Sequence, residues 1–155
     1  MIKIKTLLVG INAKYIHTSL AVRSIEMYCK ENSTNVNTKE FTINNDEDKI
    51  INEIYEEKPD FLGFSCYIWN INIILEIIST IKKLLPNVKI FVGGPEVSYE
   101  YDYIFEKDID IVCIGEGEKT VKELIDKFNE KKCIDKSFEN VNGIAFKLEN
   151  DIIVI

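Results

Sequence analysis

Histidine is nearly absent from this chain, which holds one copy, His17, in 155 residues. The shortage removes Ser-His-Asp and Cys-His nucleophile arrangements from consideration. Four cysteines, Cys29, Cys66, Cys113 and Cys133, show no C-x-x-C spacing, and one histidine does not complete a zinc site with them. Long apolar runs are missing too: the longest falls far short of the roughly 20 residues that cross a bilayer. The opening MIKIKTLLVG has neither a signal-peptide core of proper length nor a small-residue cleavage site, and it reads as a first strand. Basic clusters are lacking in a chain of net charge −7, which argues against nucleic acid and against an anionic membrane surface. These absences place the protein in the cytoplasm, where a disulfide framework is not expected.

The nucleotide signatures of α/β proteins are missing as well. No G-x-x-x-x-G-K-[ST] follows a strand, and Gly10-Ile11-Asn12 does not supply the G-x-G-x-x-G of a dinucleotide fold. A response-regulator site needs magnesium-holding acids after the first and third strands, where this chain carries Gly10-Ile11 and Ser65-Cys66.

What is present is a regular alternation. One domain is the expectation for this length. An apolar share of 46% beside 29% charged residues fits an ordinary globular core and surface. Strand patterns at 2–9, 36–43, 61–65, the run Ile90-Phe91-Val92 and 111–114 alternate with helical patterns over 20–30, 47–57, the stretch ending at Leu85, and 118–130. Thr18 or Ser19 caps the first helix, whose Leu20, Ala21, Ile25 and Tyr28 are expected on one face; Asn44-Asn45-Asp46 caps the second. Pro59 and Pro86 end helices, Pro95 stops a strand, and a weaker helical pattern covers 99–106. The tail reads as two strands, 142–148 and 152–155, around Glu149-Asn150-Asp151. It stops on an apolar strand, as a piece of something longer would. This order predicts an α/β, flavodoxin-like (Rossmann-like) doubly wound five-stranded parallel sheet, order 2-1-3-4-5, with a polar second strand at the edge and a C-terminal β-hairpin.

The loops 10–17, 66–70, 93–98 and 115–118 then share the carboxyl-end rim, where open α/β sheets bind ligands. The rim combines small residues with aromatics and has few catalytic groups. That is the profile of a site that holds a large, partly apolar ligand by shape and backbone contacts. Gly93 and Gly94 have no Cβ and admit close approach, while Pro95 ends the strand.

KPDFLGFSCY at 58–67, NVKIFVGGPEVS at 87–98 and DIDIVCIGEGE at 108–118 resemble, in this order, the cobalamin-binding domain that precedes the radical S-adenosylmethionine (SAM) domain in one large enzyme class. The tail VNGIAFKLENDIIVI resembles the hairpin leading to the catalytic barrel. The resemblance implies a cobalamin-binding domain over 1–135 and a hairpin linker over 136–155, toward a radical SAM domain outside this sequence. It implies that the corrin ring lies over the rim with its nucleotide tail inserted beside the sheet. Ser65 then hydrogen-bonds the tail, and Gly93, Gly94 and Pro95 form the wall it passes. Gly115 and Gly117 do the same at the fifth strand, with Glu116 accepting from corrin amides. Asn12, Ala13 and Tyr15 of the first loop, and Tyr67 and Trp69 of the second, meet the lower corrin face. Replacing Gly94 with valine is expected to block cobalamin and leave the fold mostly intact.

The chain departs from mutase-type cobalamin domains, which carry D-x-H-x-x-G after the first strand. His17 stands in that loop, in KYIHTSL, without the aspartate that would orient it as a cobalt ligand; a helix-start or surface histidine is the simpler account. Cobalamin is then expected with its own base displaced and its lower face closed by loop residues. C-x-x-x-C-x-x-C is absent, so SAM and an iron–sulfur cluster belong to the missing domain and this stretch alone catalyses nothing. In the parent enzyme it would present cobalt for methyl transfer or related radical chemistry. Two other readings stay open. The same fold without cofactor would serve as an interaction scaffold for the barrel. A flavin would sit at the same switch point, although the first loop lacks a hydroxyl-rich phosphate cradle.

Overall fold

Central strands that are apolar on both faces need helices on both sides, and the chain alternates the two to supply them. The computed structural model describes residues 4–14, 19–98, 102–115 and 117–155. Strands β1 (Thr6–Asn12), β2 (Asn37–Thr42), β3 (Phe61–Ser65), β4 (Lys89–Gly93) and β5 (Ile111–Cys113) are parallel and lie in the order β2-β1-β3-β4-β5. This is the expected flavodoxin-like core, with the polar β2 at its edge.

The sheet has seven strands, where five were expected. The C-terminal hairpin, β6 (Ile144–Leu148) and β7 (Asp151–Val154), is not a separate appendage. β6 pairs antiparallel with β5, Ile111 opposite Phe146 and Cys113 opposite Ile144. Without β6 the apolar β5 would be a bare edge. Ile144, Ala145 and Phe146 are fully buried, so the pairing adds to the core as well as to the ladder.

Strand alternation divides the core between two helical layers. Helices α2 (Glu47–Glu57) and α3 (Ile71–Leu84) cover the face that carries Leu7, Val9, Leu62, Phe64, Ile90 and Val92. Ile74, Ile77, Ile78 and Ile81 of α3 are fully buried there, each contributing about 1.5–3 kcal/mol of transfer free energy. Helices α1 (Leu20–Glu31) and α4 (Glu118–Lys131) cover the other face, with Leu8, Phe61, Phe91, Ile111 and Cys113. Ser19 caps α1, its Oγ accepting from Val22 N–H at 3.3 Å, and Asp46 caps α2, its Oδ1 accepting from Asp48 N–H at 3.1 Å. One device recurs at the opposite end of the sheet. Asp60 and Asp110, each just before a strand, accept from the backbone N–H groups of Lys5 and Ile90, both at 2.9 Å.

Three local expectations change. β1 runs to Asn12, not Val9, because its ladder with β2 continues through Gly10 and Ile11 to Asn12 opposite Thr42; the first loop therefore begins at Ala13. The buried face of α1 is Val22, Ile25 and Cys29, whereas Leu20 is 79% exposed and Ala21 and Tyr28 are half-buried. The capped first turn rotates Val22 toward Gly10, so Leu20 faces out. Within 99–106 the described helical turn is a 3₁₀ turn over Ile104–Lys107. Among the described residues no helix is long and apolar enough to cross a membrane.

Gly63 matters on the α1/α4 face. The Phe91 ring lies directly over it, and a Cβ there would collide with the ring. Phe91 is held from behind by Phe61, ring centroids 4.4 Å apart, so it cannot step aside freely. Gly63→Ala is therefore expected to destabilise the chain by about 1–3 kcal/mol, read as a lowered urea midpoint with an unchanged slope.

Candidate functional site

The upper part of the α1/α4 face is floored by small residues. Ser65 at the end of β3 pairs with Gly93 at the end of β4. One step further across the sheet, a Cβ built on Gly93 would sit 3.4 Å from that of Cys113, an ordinary contact. Around Gly115 a Cβ would meet nothing within 4 Å. Helices α1 and α4 bridge this row without filling it. A cavity of about 600 Å³ opens to the rim and reaches down to Leu8, Ile25, Phe91 and Val121. That volume lies in the range of ligand pockets.

Two loops shape its mouth. In the β4 loop, Gly94 has φ +113° and its carbonyl accepts from Val97 N–H and from Ser98 Oγ at 2.8 Å. A Cβ on Gly94 would collide with the Cys66 carbonyl oxygen. The glycine is thus demanded by the neighbouring backbone, and valine there disturbs the loop itself; the expectation of an intact fold in Gly94→Val is corrected. In the β3 loop, the Tyr67 and Trp69 rings stack at 4.4 Å and 6°. Trp69 is 46% exposed and Ile68 beside it 78%.

Asn70, only 1% exposed, holds that loop. Its Nδ2 donates to the carbonyls of Ile11 at 2.9 Å and Ser65 at 3.2 Å, and its Oδ1 accepts from Tyr67 N–H at 2.7 Å. Glu40 of β2 braces the first loop from outside. Its carboxylate accepts from Ser19 N–H at 2.6 Å, Asn12 Nδ2 at 3.3 Å and Arg23 Nε at 3.0 Å. Partial burial alone would raise the Glu40 pKa, but these donors outweigh it and hold the carboxyl below its ordinary value.

The site offers no activated thiol. Burial pushes Cys113 up to about 12 and, with Asp126 nearby, Cys29 to about 11; burial and the Glu96 charge raise Cys66 as well. All three are neutral packing thiols. Among the described residues no group of three His, Cys, Asp or Glu side chains could hold a metal ion.

Of the residues singled out from sequence, the cavity brings together Ser65, Tyr67, Gly93, Gly94, Pro95, Gly115 and Gly117. Asn12, Ala13 and Trp69 are not in its lining: Asn12 turns to Glu40, and Trp69 reaches the rim through its stack on Tyr67. Tyr15, His17 and Glu116 lie outside the described residues. Sequence reasoning missed Phe91, Val121 and Glu118 as lining, and Asn70 and Glu40 as supports. Phe91 and Val121 look like core positions and Glu118 like a helix-start acid, while Asn70 and Glu40 each act on at least one partner far away in sequence.

Comparison with known proteins adds an independent line. The B12 binding domain family matches residues 6–125. The cobalamin-dependent radical SAM methyltransferase TokK of Streptomyces tokunonensis is 37% identical over 70 residues, which is 44% of this chain and 10% of that protein. The radical SAM methyltransferase TsrM from Kitasatospora setae, solved with tryptophan substrate and a SAM analogue, superposes with a TM-score of 0.77 at 19% identity, covering 97% of this chain and 30% of its own. The cobalamin-dependent SAM radical enzyme OxsB, solved with aqua-cobalamin and SAM, gives 0.77 at 22% identity, 97% of this chain and 22% of its own. The chain thus spans a third or less of each of these proteins.

Two outcomes follow from the supports. Asn70→Ala strands Tyr67 N–H and two strand-end carbonyls, and is expected to cost at least about 2 kcal/mol in urea unfolding. The folded pKa of Glu40 is depressed, so its stabilisation is present above the unfolded carboxylate range and is lost as pH falls through the folded value. The gap in urea midpoint between wild type and Glu40→Gln should accordingly be full at neutral pH and close on acidification below about pH 4.

Proposed function

The chain belongs to the B12 binding domain family, and from that premise we propose that it binds cobalamin, the nucleotide tail entering the cavity between the β3–β5 ends and helices α1 and α4. The observation that carries this reading is the floor of small residues, Ser65, Gly93 and Cys113, under a cavity that the helices leave open to the rim. A Cβ-free position at Gly93 and the open space at Gly115 fit a ligand that runs close to the backbone.

In this reading Ser65 donates or accepts one hydrogen bond to the tail, Gly93, Gly94 and Pro95 form one wall, and Gly115 and Gly117 form the other. The first turn of α4 has no side-chain cap at Gly117, which leaves its N–H groups available to oxygen acceptors at the mouth. Tyr67, with Trp69 stacked behind it, and Asn12 and Ala13 of the first loop meet the corrin. When bound, cobalamin supplies a cobalt centre suited to methyl-group or radical chemistry. The chain's own residues bind and orient the cofactor and keep water from its tail.

Within a longer protein, the reading extends to a domain that presents cobalamin to a radical SAM barrel, where SAM and an iron–sulfur cluster reside, for methyl transfer or related radical chemistry. Its similarity to TokK and TsrM supports this placement.

The test is titration with hydroxocobalamin, followed by visible absorbance and co-elution on a sizing column. Binding by the wild-type chain is expected, and its absence sinks the reading. Gly93→Val, whose side chain has room at its base and projects into the cavity, should weaken binding at least about tenfold while its urea midpoint stays near wild type. Unchanged affinity in a folded Gly93→Val variant would show that the tail lies elsewhere.

A further inference from the structure

Among the described residues, the cavity carries its polar side chains at the mouth and almost none at its deep floor, below the row of Ser65 and Gly93. Resting on the cobalamin reading above, we propose that this floor selects the lower base of the corrinoid, taking a flat, largely apolar base of the benzimidazole type and discriminating against a purine.

The deep lining is Leu8, Ile25, Phe91, Cys113 and Val121, all members of the apolar cluster between the sheet and the α1/α4 layer. Phe91 sets the depth. Its ring is fixed over Gly63 and backed by Phe61, so the slot ends on an aromatic surface that does not yield. Among the described residues the polar side chains of the lining are few. Tyr67 and Glu118 stand at the mouth, on the β3 loop and the first turn of α4. The Ser98 hydroxyl is already bonded to the Gly94 carbonyl. Ser65 remains: it is 7% exposed, strand alternation puts it on the α1/α4 face, and the described residues offer its Oγ no hydrogen-bond partner. The Cys113 thiol adds only a weak donor.

One hydroxyl satisfies one ring nitrogen. A displaced dimethylbenzimidazole presents one free ring nitrogen and is otherwise hydrocarbon. An adenine base presents several ring nitrogens and an amino group, and in this slot most of them would lose water without gaining a partner. Each such loss weakens binding by about five- to a hundredfold. The hydrocarbon edge of a benzimidazole instead gains contact with Phe91, Ile25 and Val121.

The experiment is calorimetric titration of the chain with three corrinoids: cobalamin, its adenine-tailed analogue, and cobinamide, which has no nucleotide tail. Cobalamin should bind tightest, with the adenine-tailed corrinoid and cobinamide each weaker by about tenfold or more. Ser65→Ala should weaken cobalamin about fivefold and leave cobinamide unchanged. Equal affinity for the two tailed corrinoids overturns the selection. Cobinamide binding as tightly as cobalamin takes the tail out of the cavity and overturns it too. Binding of none of the three overturns the cobalamin reading itself, and this inference with it.

Discussion

The rim depends on one buried amide. β1 and β3 stay paired up to Val9 and Phe64, after which β1 continues with β2 alone. The gap where the strands part leaves the carbonyls of Ile11 and Ser65 pointing into a space with no ladder partner. The Asn70 side chain occupies it, donating to both carbonyls and accepting from Tyr67 N–H. Three otherwise costly groups are satisfied at once, and the β3 loop is fixed against two strands. Ser65, Tyr67 and, through the ring stack, Trp69 take their positions from that contact. The cavity lies beside this contact, where Ser65 and Tyr67 enter its lining.

The two faces of the sheet are treated differently by the same chain. Under α2 and α3, isoleucines interlock with large strand residues, and the packing is continuous from end to end. Under α1 and α4 the lower half is equally full, with Phe61, Phe91 and Phe128 in contact. The upper half gives way to serine, glycine and cysteine. A domain that must keep a rigid frame and still hold a cavity can do so by concentrating bulk at one level and withdrawing it at the next. Phe91 over Gly63 marks the boundary between the two regimes.

Much of this was legible in the residues. The three- and four-residue steps of α3, the acid-rich start of α2 and the polar run of β2 identify those elements on local grounds, and their order implies the parallel core. Ser65, Gly93 and Gly115 could be singled out because each follows an apolar run where bulk would be expected. What stayed hidden lives in long-range pairing. Nothing local says that β6 closes the edge of β5, that Gly63 admits the ring of Phe91, or that Gly94 lies against the Cys66 carbonyl. Asn70 reads as a helix-start asparagine. Its partners Ile11 and Ser65 appear only when two strands end side by side.

The stack of Tyr67 and Trp69 has an optical consequence. Trp69 is the chain's one tryptophan, half-exposed at the lip of the cavity and in face-to-face contact with a ring that lines it. Indole emission from this protein therefore originates at the rim and nowhere else. Its wavelength and intensity are a native beacon for what arrives there, whether solvent, a strongly absorbing macrocycle or a neighbouring protein surface, with no label added.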